Sequence, residues 1–311
     1  EKFLNEATAL FPTNDEARAE LHRIIQNLEV EAKTTEALPD EATEINRSQA
    51  SRLVDLAQGA EVWHTPDGVP FATVDVDGHR ESQALRSRGF KEWLAYTFYQ
   101  VEGKSPGGQA VADAIATLSG KAIFDGPEYP VFTRVAEVDG TIYIDLANAG
   151  WETIKVTSSG WTITKDAPVR FRRPRGMLSL PYPVPGGNLG LLRALLNLES
   201  DNDWALYVSC VAQAFRGRGP YPVLVLYGEH GSAKSTAARV YRRILDPNKA
   251  DLRSPPRNEQ DLRIQATNGW VVAYDNLSSI QEWLANALCR VSTGGGMSTR
   301  ELYSDDDKVL F

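Results

Sequence analysis

The sequence of 311 residues has only two cysteines and four histidines. Cys210 and Cys289 lie in apolar, helix-like segments, which predicts buried thiols in a reducing cytoplasm and no disulfide. The histidines are scattered, without the cysteine or carboxylate spacing of a metal-ligand cluster. The sequence also lacks a signal peptide and any run of about 18 apolar residues, so a cytoplasmic protein without a membrane partner is expected.

Basic residues are also few, since 33 lysines and arginines face 41 aspartates and glutamates, giving a formal net charge of −8. This balance argues against a protein that coats DNA nonspecifically. It leaves room for a local basic strip inside an oligomer. The hydrophobic content of 42% and charged content of 24% are typical of a globular protein. The length is sufficient for two domains.

The most informative segment is YPVLVLYGEHGSAKST, residues 221–236. It matches the phosphate-loop template G-x-x-x-x-G-K-[ST], the Walker A motif, except that Ala233 stands in place of the second glycine. The apolar run Val223 to Tyr227 predicts a buried strand before the loop, and TAARVYRRIL (236–245) predicts a helix after it. Arg239, Arg242 and Arg243 are expected on the outer side of that helix. The alternative is a glycine-containing turn with a surface lysine.

In the phosphate-loop interpretation, backbone N–H groups and the start of the helix attract the phosphate oxygens of ATP. Lys234 is expected to neutralise the β- and γ-phosphates, and Ser235 to coordinate Mg²⁺. The predicted cofactor-binding residues are Gly228, Glu229, His230, Gly231, Ser232, Ala233, Lys234, Ser235 and Thr236. Ala233 places a methyl group where the backbone passes close to phosphate.

A second motif is GWVVAYDNLSSI, residues 269–280. Its apolar run predicts a strand that ends in Asp275 and delivers this carboxylate to Mg²⁺, as a Walker B motif does. The alternative is a buried strand that ends at an aspartate in a turn. Asn276 is a candidate catalytic residue, although an amide can position a water but cannot accept its proton. Either Glu229 or Glu282 substitutes as the base, or hydrolysis is slow.

The sequence as a whole predicts three regions. They are a helical segment over 1–60, an α+β accessory domain with antiparallel strands over 61–180, and a P-loop domain over 181–311. Turn signals at Pro66-Asp67-Gly68 and Asp139-Gly140 predict two hairpins, and WETIKV and GWTIT predict further strands. Helices are expected within 81–120, and GMLSLPYPVPGG (176–187) is predicted to be the interdomain linker.

Clustered arginines offer candidate nucleic-acid contacts at Arg170, Arg172, Arg173 and Arg175. In a strand, Arg170 and Arg172 would share one face. The alternative is a solvated edge strand on which the charges deter aggregation. Arg300 could face nucleotide, a neighbouring subunit or DNA.

The segments GEHGSAKST, LDPNKADLRSPPRNEQDL and VVAYDNLSSIQEWLANALCRVSTGGGMSTRELYSDDDKVLF resemble the ATPase domain of phage and mobile-element primase-helicase proteins. That family is related to superfamily 3 helicases and to poxvirus-type primase-helicases. The resemblance covers about residues 180–311. It implies an α/β P-loop NTPase domain with a mainly parallel sheet, preceded here by a smaller α+β domain. It also implies a helicase-like ATP hydrolase that uses Mg²⁺ and forms a homo-oligomeric ring.

The resemblance further implies DNA unwinding or translocation in phage or mobile-element replication. The run 293–304 resembles the family's third block, whereas its sensor strand and arginine finger are missing, so a fragment of a longer protein is expected. Such a fragment could be monomeric and hydrolyse ATP poorly. Two other classes stay open: a nucleotide-regulated switch or assembly ATPase without unwinding, for example in phage defence, and a P-loop kinase acting on a small molecule.

Overall fold

The computed structural model describes residues 47–294. The chain divides into two compact units, 1–52 and 53–311. The domain boundaries predicted near 60 and 180 stay predictions. Helix α1 (Gln49–Leu56) runs across the division and is followed by a short 3₁₀ helix (Ala57–Gly59). The part of the predicted helical segment that precedes residue 47 lies outside the described residues. Across residues 47–294, every helix is too short or too polar to serve as a membrane span.

The first part of the second unit is a three-stranded antiparallel sheet with two helices. The strands follow the order β1 (Glu61–His64), β2 (Pro70–Val76) and β3 (His79–Ala84). The hairpin predicted at Pro66-Asp67-Gly68 is confirmed, since β1 pairs antiparallel with β2 around this turn. Strand β3 was not predicted because its sequence, HRESQA, is polar. Polar residues are tolerated there because, among the strands of residues 47–294, β3 has β2 as its one partner in this sheet and so forms an edge.

The helices that follow, α2 (Arg88–Glu102) and α3 (Gly108–Phe124), are anchored by apolar residues at helical spacing. In α2, Phe90, Leu94 and Phe98 are all fully buried, four positions apart on one face. Ser87 caps the start of α2 by accepting a hydrogen bond from the Phe90 amide. Gly103 ends the helix in the left-handed conformation, at φ 67°. These residues form the largest apolar core together with β2 and α3.

A second antiparallel sheet has the order β5 (Val135–Val138), β6 (Thr141–Asp145), β7 (Thr153–Thr157) and β8 (Gly160–Thr164). The hairpin predicted at Asp139-Gly140 is confirmed, because both turn residues have positive φ angles, 50° and 72°, as a tight hairpin turn requires. The strands predicted over WETIKV and GWTIT are β7 and β8. A short parallel pair, β4 (Val131–Phe132) with β9 (Arg170–Phe171), completes the strands of this region.

The C-terminal region of the second unit is helical. Its helices are α4 (Leu189–Ala194), α5 (Asp201–Ala214), α6 (Lys234–Leu245), α7 (Glu259–Thr267) and α8 (Glu282–Thr293). A capping box fixes the start of α5, since the side chains of Ser200 and Asp203 each bond to the other's backbone. Helix α6 is the helix predicted to follow the phosphate loop.

Residues Val223 to Tyr227 do not form the buried strand that was predicted, and among the described residues the run has no regular secondary structure. Val223, Val225 and Tyr227 are 49%, 57% and 91% exposed. A strand needs a hydrogen-bonded neighbour, and this run pairs with none of the described segments. The strand predicted to end at Asp275 is reduced to one parallel bridge between Tyr274 and Arg253. The mainly parallel sheet expected for the C-terminal domain therefore stays a prediction.

The predicted linker is held to both neighbouring regions by backbone hydrogen bonds. The Leu178 amide donates to the Pro247 carbonyl at 2.9 Å, and the Leu180 amide donates to the Leu146 carbonyl at 2.9 Å. The Lys249 amide donates to the Gly176 carbonyl at 2.8 Å. Residues 176–180 thus join β6 to the segment after α6.

Candidate functional site

The loop that precedes α6 turns through backbone conformations that favour glycine. Gly228 and Gly231 have φ angles of 149° and 83°. A β-carbon on Gly228 would lie 2.9 Å from the Ser232 hydroxyl, which is closer than packing allows. Ala233, the N-cap of α6, also has a positive φ angle, 63°. The structure therefore places an alanine where the backbone takes a conformation that suits the glycine of the motif.

Lys234 folds back over this loop. Its ammonium donates to the carbonyl oxygens of Gly228 and Glu229 at 2.9 and 2.6 Å, and to the Ser232 hydroxyl at 3.2 Å. The positive charge is thus held within the loop that leads into the first amides of α6. An anion that approaches these amides would meet both the helix N-terminus and this ammonium.

The structure brings together the two predicted magnesium ligands. The Ser235 hydroxyl donates to Oδ1 and Oδ2 of Asp275 at 2.9 and 3.1 Å, across 40 positions of sequence. Both side chains are half-buried. A hydroxyl and a carboxylate are the oxygen ligands that Mg²⁺ takes in phosphate-binding proteins, with the remaining positions left to water and phosphate. The donor set of this chain therefore fits Mg²⁺.

Asn276 follows Asp275 in the left-handed conformation, at φ 58°. Its backbone amide donates to Asp275 Oδ1 at 3.0 Å, and the residue is exposed. Glu229 lies in the loop and Glu282 begins α8, and both are exposed. Neither glutamate contacts Asp275. The prediction that one of them accepts the proton of the attacking water stays a prediction.

Arg242, Asp246 and Arg134 belong to the same region but were not predicted to have a role. Arg242 was expected on the outer side of α6, and this is wrong: it is 1% exposed and donates to the Val271 carbonyl. Its position three residues before the buried Leu245 is the signal that could have placed it on the inner face. Burial lowers the pKa of Arg242, against the opposing effect of Asp246.

Asp246 ends α6 and pairs with Arg134 in a buried ion pair of 3.1 Å. Burial lowers the pKa of Arg134, whereas Asp246 and Asp145 act to raise it. No local pattern in the sequence marks this pair, because its members are 112 positions apart.

Three of the four clustered arginines are bound within the protein. Arg170 donates to Thr73 and Glu61 at 2.9 and 2.6 Å, and its guanidinium lies 4.0 Å from the centre of the Tyr129 ring. Arg172 donates to the Thr267 carbonyl, and burial lowers its pKa.

Arg173 donates twice to the Asp145 carboxylate, at 2.9 and 2.7 Å, and lies 3.7 Å from the centre of the Trp151 ring. Strand β9 ends at Phe171, so Arg170 and Arg172 do not share a strand face as expected. Arg175 is exposed. Arg300 and the run 295–304 of the predicted third block lie outside the described residues.

The two cysteines differ in exposure, because Cys210 on α5 is half-buried and Cys289 on α8 is exposed. The prediction that both are buried is therefore wrong for Cys289. Both are free thiols.

Comparison with known proteins places the C-terminal region near replication proteins. Residues 189–310 match the family described as actinomycete integrative conjugative element replication protein. The matched range contains the phosphate loop, Ser235 and Asp275. No curated protein matches the chain. This region is thus similar to a replication protein family of a mobile element.

Proposed function

We propose that this chain binds ATP with Mg²⁺ at the phosphate loop and hydrolyses it as part of a mobile-element replication protein. The observation that carries the proposal is the contact between Ser235 and Asp275 at 2.9 and 3.1 Å. This contact supports the proposal because a serine after the loop lysine and an acidic residue from a distant strand are the residue types that hold Mg²⁺ in P-loop NTPases. The similarity of residues 189–310 to a replication family supplies the biological context.

Each residue has a distinct role in this proposal. Lys234 leaves the carbonyl oxygens of Gly228 and Glu229 to neutralise phosphate charge, and the loop amides orient the phosphate oxygens. Ser235 and Asp275 would hold Mg²⁺, which would neutralise phosphate charge when bound. Asn276 positions the attacking water, and its amide leaves proton transfer to another group.

The finer proposal is that hydrolysis drives unwinding or translocation of DNA. It is supported by the replication context and by the resemblance of the motifs to helicase-type ATPases. In that arrangement the protein assembles as a ring, and a neighbouring subunit supplies the arginine that the active site needs. Arg175 is the member of the arginine cluster that is exposed for a contact with DNA.

The test is ATP turnover by the full-length protein, with and without single-stranded DNA. The Lys234→Ala variant should lose turnover because the phosphate charge is no longer neutralised. Lys104→Ala, a change at an exposed lysine between α2 and α3, is the control and should behave as the unmodified protein does. Turnover that survives in Lys234→Ala would overturn the site. Turnover that does not respond to DNA would overturn the motor while leaving the ATPase intact.

A second candidate function is a nucleotide-regulated switch or assembly ATPase. It is favoured by Asn276, because an exposed amide beside Asp275 cannot accept a proton and slow hydrolysis suits a switch. This function predicts an oligomer whose size depends on ATP and not on DNA. Light scattering with ATP, with ADP and with single-stranded DNA separates it from the motor.

A further inference from the structure

Residues 270–275 (WVVAYD), which end in Asp275, are termed here the acidic segment. Asp246, the residue that ends α6, binds the beginning of this segment. The amides of Trp270 and Val271 donate to the same oxygen of Asp246, Oδ2, at 2.9 and 3.2 Å. Arg242, one helical turn earlier, donates to the Val271 carbonyl. The first peptide groups of the acidic segment are therefore fixed from both their donor and acceptor sides.

The opposite end of the acidic segment is held by the other end of α6, through the bonds from Ser235 to Asp275. The helix rises about 16 Å from Ser235 to Asp246, at 1.5 Å per residue. An extended chain covers about the same distance from Trp270 to Asp275, at 3.3 Å per residue. The two lengths match, so Asp246 at the beginning of the acidic segment and the parallel bridge from Arg253 near its end both bear on the position of Asp275.

The second carboxylate oxygen of Asp246 accepts a hydrogen bond from Arg134, which lies between β4 and β5. Arg134 Nε lies 3.1 Å from Asp246 Oδ1, and the two side chains are 0% and 1% exposed. The other guanidinium nitrogens donate to the carbonyls of Asp145 and Leu178 at 2.9 and 2.8 Å. Arg134 itself has a φ angle of 66°, which is unfavourable for a side chain of this size.

A buried ion pair is weak evidence of stability, because apolar residues of similar volume often serve as well. This pair differs from an ordinary structural pair in what it touches. It connects two backbone carbonyls, that of Asp145 in the accessory region and that of Leu178 in the linker, to the two amides that begin the acidic segment. We propose that Arg134 and Asp246 are positioning residues that set where Asp275 meets Ser235, so that the accessory region controls how firmly Mg²⁺ is held.

This inference rests on the proposed function, since it assigns a role within the same ATP site. It makes Asp246 a remote support of a magnesium ligand. Changes to groups that bond directly to such ligands lower metal affinity by about 10- to 100-fold, and we expect the lower end of that range here. The binding of ATP without Mg²⁺ depends on Lys234 and the loop amides instead. A variant of Asp246 should therefore lose ATP affinity in Mg²⁺ while keeping its ATP affinity in a chelator.

The experiment measures ATP binding by the chain in excess Mg²⁺ and in a chelator, for each variant. Asp246→Asn keeps an oxygen for the two amides but removes the charge that faces Arg134. The double variant Arg134→Gln/Asp246→Asn removes both charges and keeps a neutral hydrogen-bonding pair, which protects against unfolding from an unpaired buried guanidinium. The control is Glu61→Gln, which weakens a different ion pair, with Arg170, at 2.6 Å.

We expect Asp246→Asn to lose about 10-fold or more of its ATP affinity in Mg²⁺ and little in chelator. The double variant should recover part of that loss, and Glu61→Gln should leave the ratio of the two affinities unchanged. An unchanged ratio in the folded variants, with normal ATP binding by the unmodified chain, would overturn the positioning role. Failure of the unmodified chain to bind ATP would instead overturn the proposed function.

Hydrogen exchange on the unmodified chain gives a second test that needs no variant. The amides of Trp270 and Val271 should exchange slowly because a buried carboxylate accepts from both. Adding ATP and Mg²⁺ should slow the peptide that contains Asp275 together with the peptide that contains Arg134. Rapid exchange at 270–271, or protection of Asp275 alone, would contradict the coupling.

Discussion

The Ser235 hydroxyl bonds to both carboxylate oxygens of Asp275, at 2.9 and 3.1 Å. One residue opens the helix after the phosphate loop, and the other ends an apolar run 40 positions later. The fold brings them together although the apolar runs before the loop and before Asp275 do not form a regular sheet within residues 47–294. The contact is therefore made without a regular sheet, and Asp275 is also held by its own amide, which donates to the Arg253 carbonyl at 3.0 Å.

Removing either partner should separate the effects of magnesium from those of the nucleotide. Ser235→Ala and Asp275→Asn should lower ATP affinity in Mg²⁺ by about tenfold or more, the scale of changes around a metal. Affinity in chelator should hold, since Lys234 and the loop amides are unchanged. Titration calorimetry at both conditions measures this. Ser179→Ala, an exposed serine in the predicted linker, is the control, and equal losses in both conditions would contradict the assignment.

Ala233→Gly should stabilise the protein, because φ 63° costs a non-glycine residue about 1 kcal/mol or more. The gain is partly offset by the greater freedom of glycine in the unfolded chain, about 0.5–1 kcal/mol. The matched control is Ala238→Gly inside α6, which should destabilise by about 1 kcal/mol. Denaturant unfolding measures both, and a loss at Ala233 as large as that at Ala238 would show that its conformation carries no strain.

We expect two different roles within the arginine cluster: Arg173 stabilises the fold, and Arg175 contacts DNA. Arg173→Ala leaves the buried Asp145 carboxylate without its guanidinium and should cost about 3–5 kcal/mol. Arg175→Ala should leave the melting temperature unchanged, because the side chain is exposed. If the protein binds single-stranded DNA, Arg175→Ala should weaken that binding and reduce its salt dependence. A stable Arg173→Ala variant with weakened DNA binding would reverse this division.

The two thiols should react with Ellman's reagent at different rates. Cys289 is exposed, whereas Cys210 is half-buried and burial raises the pKa of its thiol. Because the thiolate is the reacting form, Cys289 should react first at pH 8. The Cys289→Ser variant should retain one slow thiol, and Cys210→Ser one fast thiol. Equal rates in the two single variants would contradict the burial of Cys210.

Alkaline pH should destabilise the fold through two half-buried tyrosines, Tyr241 and Tyr274. Burial raises the pKa of Tyr241 and of Tyr274 to about 12, so the folded protein keeps protons that the unfolded chain releases near pH 10. The free energy of unfolding should then fall as pH rises from about 10 to about 12. Phenolate absorbance measures the late-titrating fraction. Tyr241→Phe and Tyr274→Phe should each reduce that fraction, and a wild-type titration matching that of the protein in denaturant would contradict the prediction.

Local signals predicted the parts of this fold that depend on local interactions. The turns at Pro66-Asp67-Gly68 and Asp139-Gly140 need backbone conformations that few residue types favour, so the sequence at each turn identifies it. Strand β3 escaped prediction because an edge strand needs no apolar pattern. The apolar run from Val223 to Tyr227 satisfied the pattern of a buried strand, but a pattern cannot supply the neighbour that makes a strand.

Long-range pairs were predictable only where a motif joins them. The phosphate-loop template and the acidic strand pattern together predicted that Ser235 and Asp275 share a site. Nothing comparable links Arg134 to Asp246, since an arginine beside a strand and an aspartate at a helix end are common in any sequence. Burial of both charges is a property of the assembled fold, and so it could not be read from spacing.

The tethering of residues 176–180 has a practical consequence for dissecting the protein. A C-terminal piece beginning at 181 would lose the Arg134 guanidinium that pairs with Asp246, and an N-terminal piece ending at 180 would lose the Asp246 carboxylate that pairs with Arg134. Each half would carry an electrostatic defect that the intact chain does not have. The proline- and glycine-rich stretch is therefore a boundary in composition, but a cut there would not yield two self-sufficient modules.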